Sequence, residues 1–308
     1  MASGAPVRPV VAIVGPTAAG KSALAIKLAK MLSGEVVNAD SMQLYVGMDV
    51  GSAKLTVAER EGIPHHLLDV WPVTRTTTLA EYQALALDTV AAIQGRGSAP
   101  ILVGGSGMYV HAVLDRWHIP GTDPNIRRSL EGELQKHGAS VLHERLALVD
   151  APAAQVILPT DARRIVRALE VVALEGSFSA TLPARDETEG RVLIGIDIPR
   201  QVVDQRIGRR VEQMWAAGFV EEVQGLVDVG LRDGLTASRA IGYAQILRYL
   251  AGECSEAEAK QDTIRATRKF ARRQDSWFRR DERVAWLPYD APDLLEQAAA
   301  VVGPRVQG

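Results

Sequence analysis

The chain has 308 residues, 47% hydrophobic and 23% charged, with a formal net charge of −2, which is the composition of an ordinary folded protein of about two domains. No run is long and apolar enough to span a membrane, and the first residues carry Arg8 and prolines instead of the apolar core of a signal peptide, so a cytoplasmic protein is expected. The single cysteine, Cys254, excludes an internal disulfide and a cysteine-based zinc site within the chain.

The first expected strand is the apolar run Val10-Val-Ala-Ile-Val14, which enters Gly15-Pro-Thr-Ala-Ala-Gly-Lys-Ser22 and leaves it as the Ala/Leu-rich helical run from Ala23. That is the phosphate-loop pattern G-x-x-x-x-G-K-[ST] in its strand-to-helix context. Gly15 and Gly20 let the loop through Pro16 curl the N–H groups of Thr17, Ala18 and Ala19 around an anion, and the helix adds its positive N-terminal end. Lys21 supplies a mobile cation. Ser22 has the hydroxyl that holds Mg²⁺ in such loops, and Thr17 offers a second one. One end of the ligand therefore carries phosphates.

A second strand, Glu35 to Ala39, ends at Asp40-Ser41-Met42-Gln43. Ligands of open α/β sheets bind at the carboxyl ends of the strands, which puts Asp40 near the phosphate loop. It reads either as a turn or cap aspartate or as a catalytic carboxylate facing whatever reacts with the phosphorylated ligand. A glycine-punctuated loop follows, Gly47 to Lys54. His65 and His66 would point to opposite faces of a strand, so they read as structural and not as a metal pair. Thr78-Leu-Ala-Glu81 has capping-box spacing for a helix to about Gln94, with Asp88 on its exposed face.

The third strand, Pro100 to Val103, runs into Gly104-Gly-Ser-Gly-Met-Tyr109. A phosphate-loop ATPase would carry a Mg²⁺-organising aspartate here. Ser106 and the adjacent amides instead suit either the close approach of a ligand or backbone, or a tight turn. From Pro120 the texture becomes helical and charged and stays so to about Glu189, with Asp186 to Glu189 as the return linker. Strand character returns at Arg191 to Pro199. The expected fold is therefore α/β, a phosphate-loop core with a mainly parallel sheet, built from residues 1–119 and 190–308, with an inserted all-helical domain at 120–189.

Arginines gather late. Arg163, Arg164 and Arg167 share one helix of the insertion, and Arg206 and Arg210, at i,i+4, can aim two guanidinium groups at phosphate oxygens. At 100° per residue the segment Thr263 to Arg280 places Arg265, Arg268, Arg272 and Arg279 in one sector and Ala266, Phe270, Ala271, Trp277 and Phe278 opposite. With Asp275 the only acid near that sector, the stripe reads as a nucleic-acid backbone footprint; the other reading is a solubilising helix face. Cys254, in Gly252-Glu-Cys-Ser-Glu256, reads as part of a helix start.

Together the motifs GPTAAGKS (15–22), NADSMQLYVGMDVGSAK (38–54), PHHLLDV (64–70), LVGGSGMYV (102–110), DARRIVRALEV (161–171), SRAIGYAQ (238–245) and TRKFARRQDSWFRR (267–280) resemble the bacterial tRNA dimethylallyltransferases, also called tRNA isopentenyltransferases, over nearly the whole chain. The resemblance implies transfer of a dimethylallyl group from dimethylallyl diphosphate to N6 of the adenosine 3′-adjacent to the anticodon, with diphosphate leaving. It implies that residues 15–22 hold the diphosphate, with Mg²⁺ at Ser22, and that Asp40 is the base. Lys21 and Arg206 would stabilise the leaving group, and Ser106 would meet the adenosine. Asp40, Ser41, Met42, Gln43, Arg127, Arg163, Arg164, Arg167, Arg239, Gly242 and Tyr243 would grip the anticodon stem-loop, which the insertion closes over. The protein is expected to act as a monomer.

Ser106 stands where the family commonly has threonine and keeps the hydroxyl. Ala244 stands where relatives often carry a charged or amide side chain, so no contact is assigned to it. The alternatives are a phosphate-loop kinase of a small metabolite, an adenylate isopentenyltransferase and an ATP-dependent RNA-binding protein; the helical insertion and the basic late helix argue against the small-substrate options.

Overall fold

The computed structural model describes residues 8–179, 183 and 190–303; the expected return linker at 186–189 lies outside them. In chain order the elements are β1 (Val10–Val14), α1 (Lys21–Leu32), β2 (Gly34–Asn38), β3 (His65–His66), α2 (Leu79–Gly95), β4 (Ala99–Val103), α3 (Gly107–Leu114), α4 (Pro124–Val149), α5 (Ala151–Val156) and α6 (Ala162–Glu175). Then follow β5 (Arg191–Asp197), α7 (Arg200–Ala216), α8 (Phe219–Asp228), α9 (Tyr243–Leu250), α10 (Glu256–Phe278), β6 (Val284–Pro288) and α11 (Leu294–Val302).

The chain divides into two compact units, one from residues 1–114 and 187–308, the other Asp115–Asp186. In the first, six strands form one sheet in the order β3-β2-β4-β1-β5-β6, and every neighbouring pair is parallel. A parallel sheet covered on both faces needs strands that are apolar throughout, and β1, β2 and β4 are buried along almost their whole length. β5 is a core strand beside β1, as expected. The edge strand β6 and helix α11 were not foreseen.

The register aligns the strand ends that carry the motifs. Val103 pairs with Ile13 of β1 and with Asn38 of β2, so the phosphate loop, Asp40 and the Gly104–Gly107 turn leave the sheet side by side at its carboxyl edge. Gly104 is required there: a Cβ on it would lie 2.2 Å from the Ala39 carbonyl oxygen. Local signals hold as well. The Thr78–Glu81 capping box opens α2, and α10 opens at its own box, Ser255–Glu258, which leaves Cys254 just before the helix.

The second unit, among its described residues, consists of α4, α5 and α6, with α4 broken at Gly138, whose φ of 81° is not helical. Its own core joins Leu130, Leu142, Leu146, Ile157, Ile165, Val166 and Leu169. Glu170 is buried at its centre and accepts from Arg127 Nε (3.3 Å), Arg167 Nη1 (2.8 Å) and the Asp123 amide (3.1 Å). Burial alone would raise this carboxyl, yet the bonds from Arg127 and Arg167 outweigh it and hold it below its usual range.

Candidate active site

The phosphate loop is held open by left-handed backbone at Gly20 (φ 104°), which starts α1, and by the positive φ of Gly15 (132°), conformations that glycine adopts without steric cost. Lys21 folds back over the loop and donates from Nζ to the carbonyls of Gly15 (3.0 Å) and Pro16 (2.8 Å). Burial, and the neighbouring Arg210, pull its ammonium down to about 8, against the opposing charge of Asp40.

Loop and strand ends enclose a cavity of about 270 Å³ lined by Thr17, Gly20, Lys21, Ser22, Asp40 and Arg210 among others. Next to it is a second cavity of about 310 Å³, whose lining includes Ser41, Met42, Ser106, Met214, Phe219 and Phe270. Thr17, Asp40, Ser52, Ala53 and Arg210 line both. Those five residues form the neck between an anion-binding chamber and a second one, whose wall joins Met42, Met214, Phe219 and Phe270 to Arg239 and Arg273.

Asp40 is fixed at this neck by its own turn. Its amide donates to Asn38 Oδ1 (2.9 Å), its Oδ1 accepts from the Met42 amide (2.9 Å), and Asn38 Nδ2 donates back to the Asp40 carbonyl (2.9 Å). Tyr82, buried beneath, donates to the Asn38 carbonyl at 3.0 Å. Burial pushes the Asp40 carboxyl above its usual range, although the Met42 and Gln43 amides, Lys21 and Arg210 act the other way. A carboxylate raised in this way is a stronger proton acceptor than an ordinary aspartate.

The two arginines of α7 separate in a way their spacing did not reveal. Arg210 lines both cavities and donates from Nη1 to Thr17 Oγ1 at 3.3 Å. Arg206, the residue expected to face the leaving group, instead reaches the carbonyls of Ala18 (3.3 Å) and Ala19 (3.4 Å) and lies over the Tyr289 ring at 4.9 Å. It braces the loop through those carbonyls, and of the two arginines it is Arg210 that lines the cavity beside Lys21.

The late helix needs a second correction. Arg265 pairs with Asp262, Arg268 donates to the Asp204 carbonyl at 3.1 Å, and Arg279 pairs with Asp197 and lies 3.8 Å over the Trp286 ring. Asp275 is therefore not the only acid near that stripe, because α7 and β5 bring Asp204 and Asp197 to it. A shallow groove on the same helix is lined by Lys269, Arg272, Arg273, Ser276, Trp277 and Arg280, and Arg273 also lines the second cavity.

Tyr243 and Gly242, expected at an RNA surface, are internal. Tyr243 is 1% exposed and donates to Glu222 at 2.6 Å, and a Cβ on Gly242 would meet the Phe219 ring at 2.6 Å. Arg239 is exposed and lines the second cavity. Arg127 and Arg167 are engaged with Glu170, whereas Arg163 is exposed on α6. Gln43 lines the first cavity and donates to the Ser52 carbonyl at 3.1 Å.

The sequence motifs assign Gln274 no role in the site. It accepts from the Thr17 amide at 2.8 Å and packs on Gly105, where a Cβ would come within 2.1 Å of its Nε2. A signal existed, since Gln274 falls at i+3 from Ala271 and i−4 from Phe278 on the buried stripe of α10.

A parallel sheet with a phosphate loop, a carboxylate raised at a neck and a second chamber beyond it is the arrangement of a group-transfer protein of the phosphate-loop class. The IPP transferase family profile matches residues 43–281. A tRNA dimethylallyltransferase of Thermobifida fusca is 58% identical over 299 residues, covering 95% of this chain and 94% of that protein. Among solved structures, the full-length tRNA isopentenylpyrophosphate transferase of Bacillus halodurans superposes with a TM-score of 0.73 at 37% identity, covering 97% of each chain. The corresponding transferase of Staphylococcus epidermidis gives 0.70 at 31%, covering 97% of this chain and all of that one. The chain belongs to the tRNA dimethylallyltransferase family.

Proposed function

We propose that the protein transfers a dimethylallyl group from dimethylallyl diphosphate to N6 of the adenosine 3′-adjacent to the anticodon in tRNA, releasing diphosphate. The observation that carries this reading is the position of Asp40 at the neck between the anion chamber and the second chamber.

The exocyclic amine of adenine is a weak nucleophile because its lone pair is delocalised into the ring. As the bond from N6 to the allylic carbon forms, the carbon–oxygen bond to diphosphate breaks and its electron pair leaves with that oxygen. Asp40 takes the N6 proton. Negative charge grows on the diphosphate, where Lys21, the loop amides and Arg210 meet it.

Mg²⁺ fits this site as a diphosphate-bound ion. No group of three or more metal-ligating His, Cys, Asp or Glu exists among the described residues, and Ser22 lines the anion chamber, the sparse donor set of an ion that takes most of its ligands from phosphate and water. Bound there, it would neutralise developing charge on the leaving oxygens.

The adenosine must leave its stack to reach the neck, which costs a few kcal/mol. Ser41, Met42 and Ser106 line the chamber that would receive it, and Arg239, Arg163 and Arg164 would meet the surrounding loop and stem of the RNA. Through Glu170, Arg127 and Arg167 would set the shape of the insertion. No helix among the described residues is long and apolar enough to cross a membrane. The reading makes the protein a cytoplasmic monomer acting on tRNA.

The test is incubation with radiolabelled dimethylallyl diphosphate, Mg²⁺ and tRNA, followed by digestion of the tRNA. Label is expected in an adenosine of the anticodon loop. Consumption of ATP with no label on tRNA would overturn the reading in favour of a kinase.

A further inference from the structure

One carboxylate outside the catalytic neck gathers donors from two other parts of the chain. Glu222, on α8, accepts through Oε2 from the amides of Asp49 (3.0 Å) and Val50 (2.6 Å). Through Oε1 it accepts from the amide of Gly51 (3.1 Å) and from the hydroxyl of Tyr243 on α9 (2.6 Å). Three consecutive N–H groups converging on one anion form a nest, and charge-assisted bonds of this kind are about twice as strong as neutral ones.

The segment so held is the channel wall. Gly51 lines the second chamber, and Ser52 and Ala53 line both chambers. Its backbone has no slack, because a Cβ on Gly51 would lie 2.1 Å from the Phe219 ring and 2.6 Å from that of Tyr243. On the far side, buried Lys54 ties the segment down through Asp49 and Asp69, each at 2.6 Å. Glu222 itself lines neither cavity and bonds to the lining residues Gly51 and Tyr243 from outside, so its effect on the reaction passes through this wall.

We propose that Glu222 is a positioning residue of the transfer reaction, fixing residues 49–53 as the wall shared by the two chambers that meet at Asp40. The inference rests on the group-transfer reading above. A glutamine at this position fills the same volume but offers one acceptor oxygen and turns an NH₂ toward N–H groups. Glu222→Gln is therefore expected to be as damaging as Glu222→Ala, a result that volume filling alone does not produce.

The experiment measures kcat and KM for tRNA and for dimethylallyl diphosphate in the parent and both variants, at a temperature where all are folded by circular dichroism. It adds amide hydrogen exchange of residues 49–51. The expected result is a loss of at least tenfold in kcat/KM in both variants, with residues 49–51 protected in the parent and exposed in Glu222→Gln. Turnover of Glu222→Gln within twofold of the parent overturns the inference, as does rapid exchange of these amides in the parent. Should Glu222→Gln not fold, Tyr243→Phe serves: it removes one of the donors, so protection at 49–51 is expected to persist, and its loss would overturn the assignment. A parent that places no label on tRNA overturns the group-transfer reading instead, leaving the exchange result to judge the wall.

Discussion

Asp40 and Arg210 both line the two cavities, and each shifts the other's proton affinity. Burial raises the Asp40 carboxyl while Arg210 lowers it, and burial lowers the Arg210 guanidinium while Asp40 raises it. The pair therefore puts a base and a fixed cation at one neck, the arrangement that a reaction needs when it loses a proton on one side and gains anionic charge on the other.

Replacing Asp40 with asparagine keeps the turn but removes the proton acceptor. Single-turnover transfer is expected to fall about 10²- to 10⁴-fold, the usual contribution of a general base, with tRNA affinity retained. In the parent, kcat/KM falls as pH drops through the Asp40 pKa, which lies above the ordinary carboxylate value because of burial. Filter binding and rapid quench read the two quantities, and near-normal single-turnover rates in Asp40→Asn would remove it as the base.

Lys21 titrates within reach of experiment. Its ammonium is pulled down to about 8 in the unliganded protein, and a bound diphosphate must raise it again. Binding thus takes up a proton above pH 8, so affinity for inorganic diphosphate is expected to fall as pH rises through that value. Lys21→Met is expected to bind more weakly and to lose this limb, as calorimetry in two buffers of different ionisation heat would show.

Arg210 and Arg206 are expected to part company under substitution. Arg210→Met removes a cation from the cavity lining and is expected to lower kcat about 10²-fold, in the range of a lost transition-state donor. Arg206→Met removes a brace on the Ala18 and Ala19 carbonyls and is expected to act mainly on thermal stability. An equal kinetic loss in both would place Arg206 in the site as well.

Gly104→Ala is expected to cost about 1–3 kcal/mol or more of stability, because its Cβ would meet a backbone carbonyl at 2.2 Å, not a movable side chain. That carbonyl belongs to Ala39, so the strain is passed directly to Asp40. Chemical denaturation, with activity measured on the folded fraction, separates the two effects.

Salt dependence distinguishes the arginines of α10. An arginine already paired with aspartate must give up that partner to bind phosphate and so releases fewer counterions on net. Replacing Arg272 and Lys269, which line the open groove, is expected to reduce the slope of log K against log salt by about 0.7–0.9 each if both meet phosphates. Replacing Arg265, paired with Asp262, is expected to change it much less.

The phosphate loop, its flanking strand and helix, the capping box at Thr78 and the core character of β5 were legible because each depends on neighbours within a few positions. So was the placement of Asp40 near the loop, which follows from strand order at the edge of a parallel sheet. β6 was not legible: its short run Val284-Ala-Trp-Leu-Pro288 becomes a strand only by pairing with β5.

The sequence by itself determined what kind of chemistry the chain carries, since glycine spacing, a lysine after the second glycine and a carboxylate at the next strand end are local patterns with local causes. The tertiary structure alone decided which partners those groups have. Arg206 and Arg210 share one face of α7, and only the docking of that helix turns one toward the loop carbonyls and the other into the cavity. In the same way Asp204 and Asp197 reach Arg268 and Arg279 of a stripe that looks unpaired in the sequence, and Glu222 and Gln274 become meaningful only where distant backbone amides reach them. Periodicity fixes direction around one helix axis, while charge balance and hydrogen bonding depend on what packing brings to the other side.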